Sequence, residues 1–118
     1  MKTETRLIEG LGKEITFKIG KKAQENFDII DDASPDDLWF HLENASSGHV
    51  VASIPADFNV DKTQLKMIAK QGAVICKEHS KLKSHKDVSV IYAKIRNITK
   101  SETTIGQVII FDQKSIVI

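Results

Sequence analysis

The sequence predicts an α+β domain in which one long and one short helix pack on a mostly antiparallel sheet. Three observations predict this class. Apolar and polar residues alternate in several short runs, which is typical of half-buried strands. One longer segment repeats its apolar residues every three or four positions, as an amphipathic helix does. The predicted order is β-β-α-β-β-α-β-β-β, and from this order we expect the helices to cover one face of the sheet.

The N-terminal segment predicts a hairpin followed by a short helix. Residues 14–19 alternate between polar and apolar side chains, and two glycines separate this run from residues 7–8. Glycines between two such runs favour a hairpin turn. After Gly20, apolar residues spaced by four and three positions predict a helix from about Lys22 to Asp31.

The next segment predicts two strands, 38–42 and 49–54, separated by a turn at residues 46–48. Successive side chains of a strand point to opposite faces. Trp39 and His41 therefore share one face of the first strand, and its three other residues, all apolar, share the opposite face.

The central element is a helix from about Lys62 to Lys81. Asp61 and Gln64 have the spacing of a capping box at its start. With about 100° between successive residues, one arc of roughly 120° is expected to pack on the sheet, and lysines fill an arc of roughly 100° on the opposite side. The buried arc contains Leu65, Ile68, Ala69, Gly72, Ile75, Cys76 and His79. The outward arc contains Lys62, Lys66, Lys70, Lys77 and Lys81.

The C-terminal third predicts strands only. Residues 88–92 alternate as a strand, and residues 95–104 form a looser stretch. Residues 106–111 and 115–118 predict a terminal hairpin around a turn at 112–114.

Length and composition indicate one domain with a core of its own. The chain has 118 residues, of which 41% are apolar and 28% charged, and this is not the composition of a disordered chain. Cys76 is the single cysteine, so no intramolecular disulfide forms and a reducing compartment is favoured. The charged start predicts no secretory signal peptide, and no run approaches the roughly 18 apolar residues of a membrane span. We therefore expect a cytoplasmic protein that has no membrane partner.

Positive charge is concentrated in the second half of the chain. Residues 1–60 contain six Lys or Arg against eleven Asp or Glu, whereas residues 61–118 contain eleven against five. Within residues 62–100 there are ten basic and two acidic residues. This asymmetry indicates a polyanion-binding face, and lysine in place of arginine favours phosphate contact over base reading. The alternative is that the lysines only solvate one helix and one loop.

The positive strip is expected to extend beyond the long helix. Its predicted continuation consists of Lys83, Lys86, Lys94, Arg96 and Lys100. Few acids occur in this part of the sequence to neutralise it, so the strip has the electrostatic pattern that suits a phosphate backbone.

Few other residues suggest a site. Residues 20–22, Gly-Lys-Lys ahead of the short helix, are suited to hold one phosphate on free backbone N–H groups. His41 and His49 would lie near one another on paired strands, where Glu43 is the only obvious third ligand for a metal. Cys76 falls in the buried arc of the long helix and is expected to be inert.

Trp39 has two interpretations. Exposed beside His41 it would stack a nucleic-acid base, and otherwise it is buried in a second core or against the long helix. The chain has no glycine-rich phosphate motif, and no nucleophile, base and orienting group occur together. We therefore expect neither an enzyme nor a cofactor.

Several segments occur together in the order of a known family. They are Ile19-Gly20-Lys21 followed by Asn26, Asp37-Leu38-Trp39-Phe40-His41, Gly48-His49-Val50, Ser80-Lys81-Leu82-Lys83, Gly106-Gln107-Val108 and Gln113-Lys114. Over nearly the whole chain these segments resemble the NFACT-R domain, also called DUF814, in its standalone form. The resemblance implies an RNA-binding module of ribosome-associated quality-control factors, with ribosomal or transfer RNA as its partner. The residues that it marks as functional are Gly20, Lys21, Trp39, His41, His49, Ser80 and Lys81.

The sequence departs from the family pattern in two respects. Longer members contain an N-terminal domain, helix-hairpin-helix and coiled-coil segments that this sequence lacks, so recruitment of tRNA and extension of stalled peptides do not follow from the resemblance. Ile105 stands where many members have proline before the glycine.

Together these observations predict a nucleic-acid-binding module that binds RNA, with the ribosome as an expected partner and DNA as an open alternative ligand. The predicted binding residues are Lys21, Lys22, Trp39, His41, His49, Lys66, Lys70, Lys77, Ser80, Lys81, Lys83, Lys86 and Arg96. A second hypothesis is an adaptor that docks an acidic protein partner through the same basic strip. A third is a small metal-dependent hydrolase that uses His41 and His49.

Overall fold

The computed structural model describes residues 1–118. Eight strands, two α-helices and one 3₁₀ turn follow one another along the chain. They are β1 Lys2–Ile8, β2 Lys13–Ile19, α1 Ala23–Asp31, β3 Leu38–Leu42, β4 Val50–Ser53, α2 Lys62–Glu78, β5 Ser89–Lys94, the 3₁₀ turn Ile95–Asn97, β6 Ile98–Lys100, β7 Val108–Ile110 and β8 Lys114–Val117. Neither helix is long and apolar enough to cross a membrane.

Six strands form one antiparallel sheet in the order β1-β2-β4-β3-β5-β8. The strands β6 and β7 form a separate two-stranded antiparallel ribbon. The predicted α+β class, with one long and one short helix on a mostly antiparallel sheet, is confirmed.

The long helix α2 covers one face of the sheet. Its buried residues Ile68 and Ile75 belong to the main core together with Phe40 of β3 and Tyr92 of β5. Gly72 lies so close to the Phe40 ring that a Cβ atom at this position would collide with it. A glycine inside a helix costs stability, and here it allows the helix axis to approach the sheet.

The start of α2 is the predicted one. The backbone N–H of Gln64 donates to the Asp61 side chain at 2.8 Å, and the backbone N–H of Asp61 donates to the Gln64 side chain at 3.0 Å. This reciprocal pair satisfies two backbone donors that the first helical turn leaves free.

The end of α2 comes earlier than predicted, at Glu78 and not at Lys81. The Ser80 hydroxyl donates to the Lys77 carbonyl oxygen at 2.7 Å and accepts from the Leu82 N–H at 3.1 Å. These bonds turn the chain away from the helix axis, because a serine side chain can replace the backbone bonds that would continue the helix.

The short helix α1 and the β6–β7 ribbon cover the opposite face of the sheet. Ile29 and Ile30 of α1 pack with Trp39, Val51 and Ile91, and the ribbon adds its inward apolar side chains. The expectation that both helices cover the same face is therefore wrong. The strand β3 has Phe40 on one face and Trp39 on the other, and both large side chains have to be covered.

The predicted terminal hairpin is also wrong. The strand β7 pairs with β6, with Ile109 opposite Thr99, and β8 pairs with β5, with Ser115 opposite Ile91. The chain does turn at Asp112, which has a φ of 51°. The turn sends the chain from the ribbon to the edge of the main sheet, where β8 satisfies backbone groups of β5 that would otherwise lack partners.

Candidate nucleic-acid interface

Seven lysines of α2 and the following loop form one positive surface, which we call the lysine face. Its members are Lys62, Lys66, Lys70, Lys77, Lys81, Lys83 and Lys86. None of them forms an ion pair. Glu78 is the only acid in the same span, and Arg6 of β1 holds its carboxylate at 3.0 Å. The lysine face is therefore a concentrated positive charge that no acidic side chain neutralises.

Six members of the lysine face are exposed, and the seventh is partly buried. Lys62, Lys66 and Lys70 follow one another at intervals of about one turn, or about 6 Å along the helix axis. The half-buried Lys77 differs, because its Nζ donates to the carbonyl oxygen of Ile118 at 3.1 Å. Ser80, a predicted binding residue, already uses its hydroxyl in two hydrogen bonds at the helix end.

The predicted extension of the strip beyond residue 90 is not a free positive surface. Asp36 forms ion pairs with both Arg96 and Lys94, and Asp31 forms one with Lys100. Acidic residues at the end of α1 and just after it lie against these basic residues, although more than fifty positions separate the two segments in sequence. The sequence predicted that Arg96 belongs to one continuous basic strip, but in the structure Arg96 is paired with Asp36 and lies outside the unpaired positive surface.

The N-terminus of α1 differs from the predicted phosphate site. The Glu25 carboxylate accepts the backbone N–H groups of Lys21 and Lys22 at 3.0 and 3.4 Å, and it pairs with the Met1 amino group at 2.6 Å. The amino group and these N–H groups lower the pKa of Glu25 to about 2. The backbone donors are therefore occupied, while the side chains of Lys21 and Lys22 remain exposed and form no ion pair.

A cavity of about 410 Å³ opens on the α1 face of the sheet. Its lining includes Trp39 and His41 of β3, His49 just before β4, the serines 46 and 47 of the β3–β4 connection, and Gln107 just before β7. No charged side chain lines it. The structure thus brings the predicted aromatic residues together but separates them from the lysine face, because α2 packs on the other side of the sheet.

Three rings define this cavity. The Trp39 and His41 rings are parallel, with an interplanar angle of 2° and centroids 5.8 Å apart. The His49 ring stands edge-on to both, at 5.1 Å from Trp39 and 5.4 Å from His41. Trp39 is only 1% exposed, so the interpretation of Trp39 as an exposed stacking platform is wrong and its burial in a second core is observed.

Burial leaves the polar atoms of this cluster uncharged and partly unpaired. The His41 Nδ1 donates to the Leu42 carbonyl oxygen at 2.5 Å. Burial lowers the pKa of His41, and burial together with the neighbouring His41 lowers the pKa of His49 to about 3. Two buried atoms, Trp39 Nε1 and His49 Nδ1, have no hydrogen-bond partner in the protein.

The residues considered as a metal ligand or a nucleophile are hydrogen-bonded or buried in the structure. Glu43, the third ligand of the hypothetical metal site, accepts a hydrogen bond from the Ser89 hydroxyl at 2.5 Å. The structure contains no group of three or more His, Cys, Asp or Glu residues that could hold a metal ion. Cys76 is buried in α2, and burial raises the pKa of its thiol to about 11. A thiol with so high a pKa is a poor nucleophile at neutral pH.

Asn26 and Gln107 line the cavity but were not predicted as site residues. Asn26 is on α1 and Gln107 precedes β7, so only the packing of the ribbon against α1 brings them together. Both residues occur in segments of the family resemblance, which is the one signal in the sequence that could have identified them. Hydrophobic periodicity gives no such signal, because neither side chain is apolar.

Residues 12–112 match the sequence profile of the family described as "NFACT protein RNA binding domain". The chain is also similar to proteins named coiled-coil domain-containing protein 25. It is 29% identical over 107 residues to the protein from Danio rerio, and 30% identical over 112 residues to those from Bos taurus and Mus musculus. These alignments cover 86% of the chain and 49% of each relative, so the chain spans about half the length of the curated relatives that it matches.

One solved structure shows the same fold. It is the C-terminal part of the fibronectin/fibrinogen-binding protein from Streptococcus suis, which superposes with a TM-score of 0.79. The superposition covers 100% of this chain and 46% of that chain, at 22% sequence identity. At this identity the likeness concerns the fold alone.

Proposed function

The chain belongs to the NFACT protein RNA-binding domain family, a family of nucleic-acid-binding domains, and we propose that it binds RNA through the lysine face. The observation that supports this proposal most directly is that none of the six exposed lysines of that surface pairs with an acidic side chain, whereas Lys77 donates to a main-chain oxygen of Ile118. Elsewhere in the protein, five of the remaining ten basic side chains are paired with acids. A phosphate backbone supplies the negative charge that the lysine face lacks.

The chemistry of lysine suggests how the RNA is held. An ammonium group is a point charge on a flexible stem, and it contacts phosphates without fixing the identity of a base. Binding through this surface is therefore expected to follow the shape and phosphate density of the RNA more than its sequence. Structured RNA of the transfer or ribosomal kind, with the ribosome as its cytoplasmic setting, is the partner class that we propose. The protein acts in this proposal by binding and not by catalysis.

The test is a fluorescence-anisotropy titration with labelled single-stranded RNA, a folded tRNA-like RNA and duplex DNA, repeated over a salt series. Each phosphate contact contributes a log–log salt slope of roughly −0.7 to −0.9, so several contacts give a slope of several units. Preference among the three ligands then distinguishes shape recognition from simple charge attraction. Absence of binding to any of them at low salt would reject the proposal.

A matched pair of triple variants locates the surface. The test variant reverses three exposed lysines of the lysine face, Lys66→Glu, Lys70→Glu and Lys81→Glu, and leaves Lys77 unchanged because it bonds to Ile118. The control variant reverses three exposed, unpaired lysines outside that face. These are Lys2→Glu, Lys13→Glu and Lys114→Glu. Both variants change the net charge equally, so a loss of affinity confined to the test variant assigns binding to the lysine face.

An acidic protein partner on the same lysine face is the alternative. It makes a different prediction, because RNA affinity that reflects backbone contacts increases with strand length until the surface is filled. A docking site for a particular acidic protein has no reason to depend on RNA length. The anisotropy titration with RNA strands of increasing length therefore separates these two functions.

A further inference from the structure

The cavity on the α1 face contains two buried polar atoms that the protein itself does not satisfy. Trp39 is 1% and His49 is 3% exposed, yet Trp39 Nε1 and His49 Nδ1 have no hydrogen-bond partner. Buried polar groups of folded proteins are nearly always paired, because an unpaired one costs about 1 to 3 kcal/mol. Both residues line the same cavity, so the two unsatisfied groups lie in its floor, beneath its open surface.

The lining of the cavity selects the chemical class of that molecule. All of the lining side chains are uncharged amides, hydroxyls, aromatic rings or aliphatic groups. Such a lining supplies no charge to balance an ion, and its amides, hydroxyls and rings suit a flat ring with hydrogen-bonding edges. The Trp39 and His41 rings are parallel to within 2°, and His49 stands edge-on to them. His41 is the one ring of the three that is partly exposed, and nucleobases are flat heteroaromatic rings that pack on exposed aromatic side chains.

Two exposed lysines lie beside the cavity. The backbone N–H of Gly20 donates to the carbonyl oxygen of His49 at 2.9 Å, which fixes the residue before Lys21 against the cavity floor. Gly106 of the ribbon segment approaches Ala23, the residue after Lys22, so closely that a Cβ on Gly106 would lie 2.9 Å from the Ala23 Cβ. Lys21 and Lys22 are therefore flanked by cavity-lining residues on both sides, and neither forms an ion pair.

We propose that this cavity is a second binding site, which takes a single unpaired nucleobase while Lys21 and Lys22 hold its phosphate. The site is separate from the lysine face and lies on the other side of the sheet, so it does not depend on the function proposed above. Two kinds of ligand carry such a base and phosphate, namely RNA with an unpaired base and a free nucleotide.

The direct test uses the intrinsic fluorescence of the protein, because Trp39 is its only tryptophan. We expect at least one of the four ribonucleoside monophosphates to change this fluorescence in a saturable manner, whereas ribose 5-phosphate does not. No saturable change with any of the four, or an equal change with ribose 5-phosphate, would overturn the proposal. The triple lysine-face variant is expected to give the same nucleotide titration as the unmodified protein, which keeps this site distinguishable from the lysine face.

Two tyrosine variants localise the signal. Ser46→Tyr places a large ring at the cavity mouth, where the serine is exposed and its side chain makes no hydrogen bond, and we expect nucleotide affinity to fall at least tenfold. Thr99→Tyr introduces the same ring at an exposed position of the ribbon that does not line the cavity, and we expect no change. Gln107→Ala removes one polar edge of the site without enlarging any side chain and should weaken binding severalfold. Unchanged affinity in both Ser46→Tyr and Gln107→Ala would place the base elsewhere and reject the assignment.

RNA hairpins distinguish the two sources of the base. A hairpin with one bulged base and a fully paired hairpin of equal phosphate number are compared with the unmodified protein and with Ser46→Tyr. If RNA is the source, the bulged hairpin binds about tenfold more tightly than the paired one, and Ser46→Tyr removes that advantage. If the two hairpins bind equally while mononucleotides still alter the Trp39 fluorescence, a free nucleotide is the ligand.

Discussion

The side-chain oxygen of Asn26 accepts a hydrogen bond from the backbone N–H of His49 at 3.0 Å, in the interior of the protein. The carbonyl oxygen of His49 accepts the Gly20 N–H at 2.9 Å. The residue before β4 is therefore fixed by α1 on one side and by the end of β2 on the other. Because the His49 ring forms part of the cavity floor, these two backbone bonds determine the shape of the cavity.

Removal of the Asn26 amide should destabilise the protein. We expect Asn26→Leu to lower the free energy of unfolding by about 1 to 3 kcal/mol, because the buried His49 N–H loses its acceptor. Urea denaturation measures this change. The control is Gln24→Ala, which removes an exposed hydrogen bond to Asp28 on the same helix and should change stability by less than about 0.5 kcal/mol. Equal effects of the two variants would contradict this account.

Gly48 is a position where a side chain has no room. A Cβ atom there would collide with the backbone carbonyl oxygen of Gly20, which cannot rotate away as a side chain can. We expect Gly48→Ala to destabilise the protein by about 1 to 3 kcal/mol. The same substitution at Gly10 meets only the end of the flexible Met67 side chain and should cost less. Thermal unfolding of both variants checks this order of stability. A Gly10→Ala variant that is less stable than Gly48→Ala would contradict the prediction.

The pKa of His49 links stability to pH. Burial holds this pKa at about 3 in the folded protein, whereas a free imidazole has a pKa of 6.5. Between these two values the unfolded chain binds a proton at His49 that the folded protein does not bind. Stability therefore falls as the pH falls through this window, by up to about 1.4 kcal/mol per pH unit from this group.

Two measurements check this linkage. Urea denaturation at several pH values should give a shallower acid dependence for His49→Gln than for the unmodified protein, because the variant has no imidazole to protonate on unfolding. In NMR spectra of the folded protein, the His49 ring signals should not shift where a free imidazole titrates. A normal titration of that ring would refute the prediction.

Basic residues with and without ion pairs should differ in their effect on RNA binding. Arg96 is paired with Asp36, and we expect Arg96→Gln to leave RNA affinity nearly unchanged. Lys66 is exposed and unpaired, so Lys66→Gln should weaken binding and lower the magnitude of the salt slope by about one unit. Both substitutions remove one positive charge. An equal loss of affinity in the two variants would indicate that overall charge, and not the lysine face, governs binding.

Local patterns in the sequence predicted most elements of this fold. The period of two along β2, β3 and β5, and the capping residues Asp61 and Gln64, depend on neighbours that are close in sequence, and the structure confirms them. Helical geometry likewise predicted the lysine arc of α2 for Lys62, Lys66, Lys70 and Lys77, whereas Lys81 lies beyond the end of the helix at Glu78.

The features that could not be predicted all depend on distant parts of the chain. The strand β8 leaves its neighbour β7 for the edge of β5, because an unpaired strand edge competes with a local hairpin for the same backbone groups. The pairing of Arg96 with Asp36 joins two segments that are sixty positions apart. The cavity is likewise formed by residues of α1, the sheet and the ribbon, and although the sequence singled out Trp39, His41 and His49, no local pattern predicted that α1 and the ribbon would enclose them.

The burial of Cys76 has a practical consequence for chemical labelling. This thiol is 2% exposed, and its pKa of about 11 leaves almost no thiolate at neutral pH. Alkylating reagents should therefore modify the native protein very slowly at this position. A second cysteine introduced on the surface outside the lysine face, for example at Lys2, would react selectively with a dye maleimide while Cys76 is preserved. The protein thus needs no cysteine-free background before distances to a bound RNA are measured by energy transfer.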